Sequence, residues 1–310
     1  MKELVAKIKA LKEKRNAVIL VHNYQLPEVQ DIADFTGDSL GLSIEASKTK
    51  ADVILFCGVY FMAETAKILS PQKTVLIPDP TAGCPLADMI TVEEVRELRR
   101  QHPKAKVVCY VNTTAAVKAE CDYCCTSANA VELLSGAFSE KDEIIFLPDK
   151  YLGAYAADKA KRNVIIWKGY CPTHALILPE HILALKKEHP KALVMAHPEC
   201  NAAVLKASDA VLSTSGMLKY VKESSAKEFI VATEIGMIHP LKVENPGKIF
   251  YPVTLLANCP NMKKTTLDKV VTSLEKMIYK VELSDDIIKR AKRPIDNMIC
   301  FRRDAQITKK

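Results

Sequence analysis

The chain is poor in aromatic residues, in long apolar runs and in excess charge of one sign. A single Trp and an aromatic fraction of 6% leave few rings on which nucleic-acid bases could stack. The longest uncharged apolar stretches, such as 53–62, fall well short of the roughly 20 residues that a membrane-spanning helix needs. The net charge of +7 is mild and is spread over helical patterns. We therefore expect neither a nucleic acid nor a membrane as partner, and the positive charge suits small anionic substrates.

The N-terminal sequence lacks the apolar stretch of a secretory signal peptide, because Lys and Glu recur throughout residues 1–16. We therefore expect a cytoplasmic protein, in which disulfides are disfavoured. Ten cysteines in such a protein raise the question of metal binding or thiol catalysis. Cys121 and Cys124 have CxxC spacing, but the sequence contains no second pair of this kind. Local spacing therefore does not explain the cysteines.

The composition, with 48% apolar and 26% charged residues, is that of an ordinary globular protein. A length of 310 residues suggests about two domains, but an internal repeat indicates three. Three apolar runs, 17–24, 106–113 and 192–199, end in polar residues, and each predicts a buried strand. The runs match one another when His22, Val111 and His197 are aligned, and an Asp follows each of these positions after 11 or 12 residues. These Asp residues are Asp34, Asp122 and Asp209.

Two further positions recur at nearly constant distances from these Asp residues. A hydroxyl side chain stands five residues after each Asp, and a Cys-Pro pair stands 49 or 50 residues after it. The hydroxyl residues are Ser39, Ser127 and Thr214, and the cysteines are Cys84, Cys171 and Cys259. Between these positions, each unit reads as about four strands alternating with helices, a pattern typical of parallel sheets.

We therefore predict an α/β fold of three pseudo-symmetric domains, each with a roughly four-stranded parallel sheet. The predicted domains are residues 1–83, 84–170 and 171–259. The helices predicted in 260–310 have no strand to follow, so we expect them to complete the first domain.

Ligands of open parallel sheets bind at the carboxyl ends of the strands, and the repeated positions lie at such ends. If the three domains point these ends inward, Cys84, Cys171 and Cys259 converge. Cys57 and Cys109, and likewise Cys124 and Cys125, lie inside apolar strands and are better explained as small buried hydrophobes. Three thiolates leave one coordination position open, and soft ligands of this kind favour an iron–sulfur cluster or zinc. A cluster with one open iron indicates Lewis-acid chemistry rather than electron transfer.

The polar residues predicted around this point suit an anionic substrate and proton transfer. They combine hydroxyl, amide and imidazole groups, which hold carboxylate or phosphate, with candidate acids and bases. They are His22, Tyr24, Ser39, Tyr110, Asn112, Ser127, His174, His197, Glu199 and Thr214.

Several long strings in the sequence resemble the quinolinate synthase family. They are VHNYQLPEVQDIADFTGDSLGL, YVNTTAAVKAECDYCCTSANAV, HPEC and TEIGMIHPLK, together with the three Cys-Pro pairs. The resemblance implies three αβα domains around a [4Fe–4S] cluster. It also implies the condensation of iminoaspartate with dihydroxyacetone phosphate, with loss of phosphate and water, to give quinolinate for NAD biosynthesis. Such an enzyme is coupled to one that oxidises or dehydrogenates aspartate.

Residue by residue, the resemblance implies that Cys84, Cys171 and Cys259 hold the cluster. It places the substrate at His22, Ser39, Tyr110, Asn112, Ser127, His197, Glu199 and Thr214, with Tyr24 and His174 near the chemistry. We expect His174 to bind substrate as well, and Tyr24, His197 and Glu199 to transfer protons; the sequence leaves open which of them is the acid and which the base. Some family members carry a C-terminal cysteine pair, whereas this chain has only Cys300 there, so we do not expect that disulfide switch.

Three functions remain open from the residues themselves. The first is a dehydrating condensation at a cluster, the second an iron–sulfur sensor, and the third a zinc hydrolase with a water on three cysteines. A sensor would need a DNA-binding element, and the sequence shows neither a helix-turn-helix nor a stripe of basic and aromatic residues.

Overall fold

The structure is a computed structural model and describes residues 1–307, with side chains as far as Phe301. The last residues of the predicted C-terminal segment 260–310 thus lie outside the described residues. Within the described part, the strands form three four-stranded parallel sheets. The first sheet contains β1 (Ala17–His22), β2 (Phe35–Gly37), β3 (Val53–Cys57) and β4 (Thr74–Leu76). The second sheet contains β5 (Lys106–Tyr110), β6 (Tyr123–Cys125), β7 (Ile144–Leu147) and β8 (Ile165–Ile166). The third sheet contains β9 (Leu193–Ala196), β10 (Ala210–Val211), β11 (Glu228–Ala232) and β12 (Ile249–Pro252).

Helices flank all three sheets, so the predicted α/β fold with three αβα units is confirmed. They are α1 (Lys2–Arg15), α2 (Pro27–Gln30), α3 (Ser39–Lys48), α4 (Tyr60–Leu69), α5 (Val92–Gln101), α6 (Ala115–Lys118), α7 (Ala130–Gly136), α8 (Lys150–Ala160), α9 (Pro172–Ala175), α10 (Pro179–Glu188), α11 (Ala202–Lys206), α12 (Thr214–Glu223), α13 (Ile238–Glu244), α14 (Leu267–Lys276) and α15 (Asp285–Ile307). None of the helices in residues 1–307 is long and apolar enough to cross a membrane.

The strand order is the same in every sheet: second, first, third and fourth strand of the unit. The central strands β3 and β7, and β1 up to its last residue His22, are apolar throughout because both faces of these sheets are covered by helices. This order places the ends of the first and third strands side by side at the middle of each sheet edge, where the sequence predicts its ligands.

Hydrogen bonds to the three repeated Asp side chains show which residues of the repeats align with one another. The three repeated Asp side chains each accept the N–H of a first-strand residue: Asp34 from Ile19 (2.9 Å), Asp122 from Val107 (2.9 Å) and Asp209 from Val194 (2.8 Å). His22 and His197 lie three residues after Ile19 and Val194, so the matching residue of the second repeat is Tyr110. The alignment of Val111 with these histidines is therefore wrong by one residue. Val111 lies just beyond β5, and its buried apolar side chain lengthens the apolar run without belonging to the strand.

The outer face of the first sheet is covered by α1 and α14, from opposite ends of the chain. Their side chains form one apolar cluster with β1 and β3, in which Ile8, Val270 and Leu274 are buried. Helix α15 packs instead against β6 and α6 of the second unit, and against α4 of the first. The domain boundaries themselves stay a prediction.

We predict that Leu274→Ala destabilises the protein by about 2–5 kcal/mol, because it leaves a cavity where α14 meets the first sheet. Leu274 is fully buried, whereas its neighbour Lys276 is exposed. Lys276→Ala is therefore the control and should leave the denaturation midpoint in urea nearly unchanged. A Leu274→Ala midpoint equal to that of the control would show that α14 does not hold the first unit together.

Candidate active site

The carboxyl edges of the three sheets surround one cavity of about 150 Å³. Every residue that the sequence predicts for the site lines this cavity. They are His22, Tyr24, Ser39, Cys84, Tyr110, Asn112, Ser127, Cys171, His174, His197, Glu199, Thr214 and Cys259. The structure thus brings the whole predicted set together, from three regions that lie far apart in the sequence.

The three cysteines of the Cys-Pro pairs lie on matching loops after the fourth strands. The backbone N–H three residues further along donates to each thiol, and Cys84 and Cys259 also accept the N–H two residues further along. Burial raises the pKa of all three thiols, and that of Cys84 reaches about 12. As free thiols they would keep their protons, whereas a metal would displace these protons and use the same N–H donors to stabilise the thiolates.

The loops carrying the cysteines are tied to their own sheets by a hydrogen bond that all three repeats share. In each repeat, the first residue of the helical segment after the third strand donates its backbone N–H. The acceptor is the carbonyl oxygen of the residue two positions before the cysteine. These pairs are Tyr60 and Ala82 (2.8 Å), Lys150 and Gly169 (2.7 Å), and Ile235 and Ala257 (2.9 Å). This bond fixes each cysteine relative to the third strand of its sheet.

Two of the three cysteine loops are also held by a buried carboxylate, which sequence reasoning missed. Asp149 Oδ2 accepts the N–H of Cys171 (3.2 Å), and Glu234 Oε1 accepts that of Cys259 (2.9 Å). The second oxygen of each carboxylate accepts N–H groups at the start of the helical segment that follows. Val59, which has no carboxylate, occupies the matching place in the first repeat. Both acids lie two residues beyond a third strand, at a position where the first repeat has no acid to reveal the pattern.

The ligand set around the thiols fits a metal centre. Three cysteines line one cavity, and the ligand atoms of Cys171, His174 and Glu199 lie within 4.8 Å of one another. By contrast, the cysteines that we attributed to the core, Cys57, Cys109, Cys124 and Cys125, are fully buried and do not line the cavity. The soft thiolates favour iron–sulfur or zinc over hard cations.

His22 and His197 have the same local geometry, in which the ring fixes its own tautomer. Nδ1 of His22 accepts the N–H of Tyr24 (3.2 Å), and Nδ1 of His197 accepts that of Glu199 (3.3 Å). Burial lowers the pKa of His22 to about 4 and that of His197 to about 3. Both rings are therefore neutral near pH 7, with the proton on Nε2, and His197 donates it to Ser127 Oγ (3.1 Å).

A chain of hydrogen bonds joins two of the predicted catalytic residues. Glu199 Oε2 lies 2.7 Å from Nδ1 of His174, and Nε2 of the same ring lies 2.9 Å from Thr233 Oγ1. Thr233 in turn lies 2.6 Å from the hydroxyl of Tyr24. Sequence reasoning missed Thr233, because only the folded chain places the residue before Glu234 between Tyr24 and His174. A proton could pass from Tyr24 to Glu199 along this chain without entering water.

Glu199 is a buried acid that lines the cavity. Burial acts to raise its pKa, but the ion pair and hydrogen bond with His174, and the hydrogen bond from Tyr110, outweigh it and hold the pKa at about 2. Asn112 Nδ2 also faces Glu199 Oε1, at 3.5 Å. The contact of 3.8 Å between Glu199 and Nδ1 of His197 is not an ion pair, because that nitrogen accepts a backbone N–H and the ring is neutral.

The three hydroxyl residues lie at or just before helices that begin at the cavity. Ser39 and Thr214 are the first residues of α3 and α12, and Ser127 lies three residues before α7. Thr214 Oγ1 accepts a hydrogen bond from Asn23 Nδ2 (2.9 Å), which links the first and third units. Asp38 caps α3 and lines the cavity beside Ser39, a neighbour that sequence reasoning overlooked.

The sequence profile described as "Quinolinate synthetase A protein" matches residues 6–300. The chain belongs to the quinolinate synthase family. It is 52% identical over 300 residues to the quinolinate synthase of Methanosarcina barkeri, covering 97% of this chain and 98% of that protein. The quinolinate synthases of Dehalococcoides mccartyi strain CBDB1 and Geobacter sp. strain M21 are each 52% identical, over 299 and 301 residues. These matches cover 96% and 97% of this chain, and 98% of each relative.

Membership of the quinolinate synthase family makes the protein an enzyme of NAD biosynthesis, and the resemblance predicted from its motifs is confirmed. The sensor and the zinc hydrolase considered from the sequence are not what the family does. The family and the Cys, His and Glu group fit metal binding.

We predict that the stability of the metal-free protein falls as the pH decreases from about 6.5 to about 4. In this window the unfolded chain binds a proton at His22 that the folded chain, with its pKa of about 4, excludes. The loss amounts to roughly 3 kcal/mol for His22 alone. Asp38 and Glu199 act to raise this pKa and Lys263 to lower it, but burial outweighs them.

Urea denaturation of the wild type and His22→Gln across this pH range checks the prediction. The variant should lose less stability between pH 6.5 and 4 than the wild type does. Because the pKa of Glu199 is lowered from an already acidic value, its effect lies mostly below this window. Equal pH slopes for the two proteins would contradict a neutral, buried imidazole at position 22.

Proposed function

We propose that this chain condenses iminoaspartate with dihydroxyacetone phosphate to form quinolinate, releasing phosphate and water. The observation that carries the proposal is the convergence of three matched thiols and a set of anion-binding and proton-transferring groups on one cavity. The names of the relatives support it at 50–53% identity over nearly the whole chain.

We propose further that Cys84, Cys171 and Cys259 hold a [4Fe–4S] cluster. Each thiol already receives backbone N–H donors, which stabilise a thiolate. Three ligands to four irons leave one iron open, and when bound the cluster supplies a Lewis acid for a substrate oxygen. Asp149 and Glu234 would orient two of these ligands through their backbones.

Proton transfer falls to Tyr24 and Glu199 in this proposal, with His174 and Thr233 between them. The condensation removes protons from carbon and nitrogen and delivers them to leaving oxygen atoms. It therefore needs an acid and a base between which protons can move. The chain of contacts at 2.7, 2.9 and 2.6 Å offers this communication through side chains that are all buried. His197 and His22 donate Nε2–H and so act as hydrogen-bond donors to substrate oxygen.

Anion binding falls to the hydroxyl groups of Ser39, Ser127 and Thr214. Two of them begin helices of ten residues, whose N-terminal N–H groups favour carboxylate and phosphate. Charge-assisted hydrogen bonds of this kind contribute on the order of 1–3 kcal/mol each. Because iminoaspartate is an oxidised form of aspartate, the proposal also implies functional coupling to an enzyme that oxidises or dehydrogenates aspartate.

We predict that changing Cys84, Cys171 or Cys259 to Ala abolishes the broad visible absorbance of a thiolate–iron cluster and the synthase activity together. Cys125→Ala is the matched control, because Cys125 is buried and lies outside the cavity. Anaerobic purification, followed by iron and sulfide analysis and absorption spectra, makes the comparison.

The same variants separate a cluster from a single metal ion. An ion held by Cys171, His174 and Glu199 would survive the loss of Cys84 or Cys259, whereas a cluster needs all three cysteines. Full metal content in Cys84→Ala, or loss of the metal in Cys125→Ala, would overturn the assignment.

We predict opposite kinetic effects for the proton-transferring and the anion-binding residues. Glu199→Gln should lower kcat by about 10²–10⁴-fold, as expected for a lost general base. Ser127→Ala and Thr214→Ala should mainly raise KM. Steady-state kinetics at matched iron content decides between the roles. Near-normal kcat in Glu199→Gln, with a fall of kcat at unchanged KM in Ser127→Ala, would reverse the two assignments.

A further inference from the structure

Two polar side chains behind the cavity wall occupy the same place in the first and second units. Gln30 and Lys118 end the short helices α2 and α6, each 11 residues after the first-strand residue held by the repeated Asp. Both side chains are buried, and Lys118 has no exposed surface at all. A buried ammonium group is costly to desolvate, so strong contacts must offset its burial.

The side chain of Gln30 bridges the backbone on both sides of Tyr24. Its Nε2 donates to the carbonyl oxygens of Asn23 (3.1 Å) and Gln25 (2.9 Å). Since Tyr24 lies between these two residues, its Cα is held from both directions. The direction in which the phenol enters the cavity follows from that constraint.

The side chain of Lys118 makes the same bridge in the second unit. Its Nζ donates to the carbonyl oxygens of Val111 (2.8 Å) and Thr113, the two neighbours of Asn112. Glu64 completes this arrangement, because its Oε2 accepts the N–H of Ala115 (3.0 Å) at the start of α6 and its carboxylate lies in the field of Lys118. Asn112 takes the position of Tyr24 in the repeat, so the two bridges hold equivalent cavity residues.

Each bridge also contacts the neighbouring unit at an equivalent point. Gln30 Nε2 lies 3.2 Å from the carbonyl oxygen of Gly236 in the third unit, and Lys118 Nζ lies 5.3 Å from the ring centre of Phe61 in the first. Gly236 and Phe61 occupy matching positions after their third strands. A Cβ at Gly236 would lie 2.7 Å from the Tyr24 backbone, so this approach requires glycine.

The third unit has Leu205 at the position of Gln30 and Lys118, and it makes no such bridge. Its cavity residue is Glu199, which follows Pro198, and proline restricts the backbone there. The bridge is thus present where the loop lacks proline and absent where proline is present.

We propose that Gln30 and Lys118 are positioning residues, which set where the Tyr24 phenol and the Asn112 amide stand in the cavity. The proposal rests on the proposed function, in which both cavity groups act on the substrate. Asn112 Oδ1 has no partner in the described part of the chain although it is buried, so it is available to a ligand. Because Lys118 holds the backbone around Asn112, it also positions the Asn112 amide against Glu199 Oε1.

The test compares Lys118→Met, which removes the donors, with Lys118→Gln, which restores an amide donor such as the first unit uses. Lys186→Met is the matched control, because Lys186 Nζ also donates to two carbonyls, those of Pro190 (3.1 Å) and Ala192 (2.9 Å), away from the cavity. Hydrogen exchange of the metal-free proteins measures the mobility of residues 111–115, and turnover per bound cluster measures catalysis.

In Lys118→Met we expect exchange at residues 111–115 to be about tenfold faster than in the wild type. We expect kcat/KM per cluster to fall by about 10–100-fold, the usual consequence of a small misplacement of a substrate-binding group. Lys118→Gln should recover most of both losses, and Lys186→Met should show neither. Unchanged exchange and turnover in Lys118→Met, or no recovery in an equally stable Lys118→Gln, would overturn the proposal.

Gln30→Leu, which introduces the residue of the third unit, tests the bridge independently if Lys118→Met does not fold. It should speed exchange at residues 23–25 and lower kcat/KM at unchanged iron content. The exchange measurements do not depend on the reaction. If the wild type made no quinolinate while Lys118→Met still showed faster exchange, the proposed function would fail and the positioning role would stand.

Discussion

The whole arrangement depends on hydrogen bonds that cross from one unit to the next around the cavity. No single four-stranded sheet can enclose a ligand at its edge, so each unit supplies one wall and its neighbours supply the others. Asn23 of the first unit reaches Thr214 of the third, and His197 of the third reaches Ser127 of the second. Because Asn23, Thr214 and His197 are buried, the loss of a partner leaves a buried polar group unsatisfied, at a cost larger than the bond itself. The same hydrogen bonds therefore fix both the relative placement of the three sheets and the positions of the polar groups in the cavity.

Buried charges around the cavity are compensated in pairs. Glu199 is balanced by His174, and Glu234 by Lys263 at 2.9 Å. Lys118 has Glu64 nearby, together with two backbone carbonyls. Asp149 accepts the backbone N–H groups of Tyr151, Leu152 and Cys171, and burial together with the charge of Glu199 raises its pKa well above that of an ordinary Asp. A site with so many ionisable groups stays compact because nearly every charge has an opposite charge or several dipoles within contact.

The sequence allowed the fold and the residues of the cavity to be predicted because the repeat carries them at constant spacing. The Asp that holds the first strand marks the register, and the cysteines follow it at 49 or 50 residues. The same method failed at Val111, because an apolar residue beyond the strand imitates a strand residue. It also missed Thr233, whose partners Tyr24 and His174 lie far away in the sequence and come near only in the fold. Lys118 was missed for a different reason, because its repeat position holds Gln30, Lys118 or Leu205. A contact leaves a periodic signal in the sequence only where it lies within one repeat and the repeats keep the same type of residue.

A cavity built from three similar walls faces a problem of rotation. A small ligand without threefold symmetry would find three nearly equivalent orientations if the walls were identical. The cysteines and hydroxyl groups are nearly the same in all three units, but the position two residues beyond His22, Tyr110 or His197 is Tyr24, Asn112 or Glu199. Only one orientation therefore brings a given carbon of the ligand beside a carboxylate and its opposite end beside a phenol. The positions that the three units share bind the ligand. The positions at which they differ select one of the three orientations that the repeat would otherwise make equivalent.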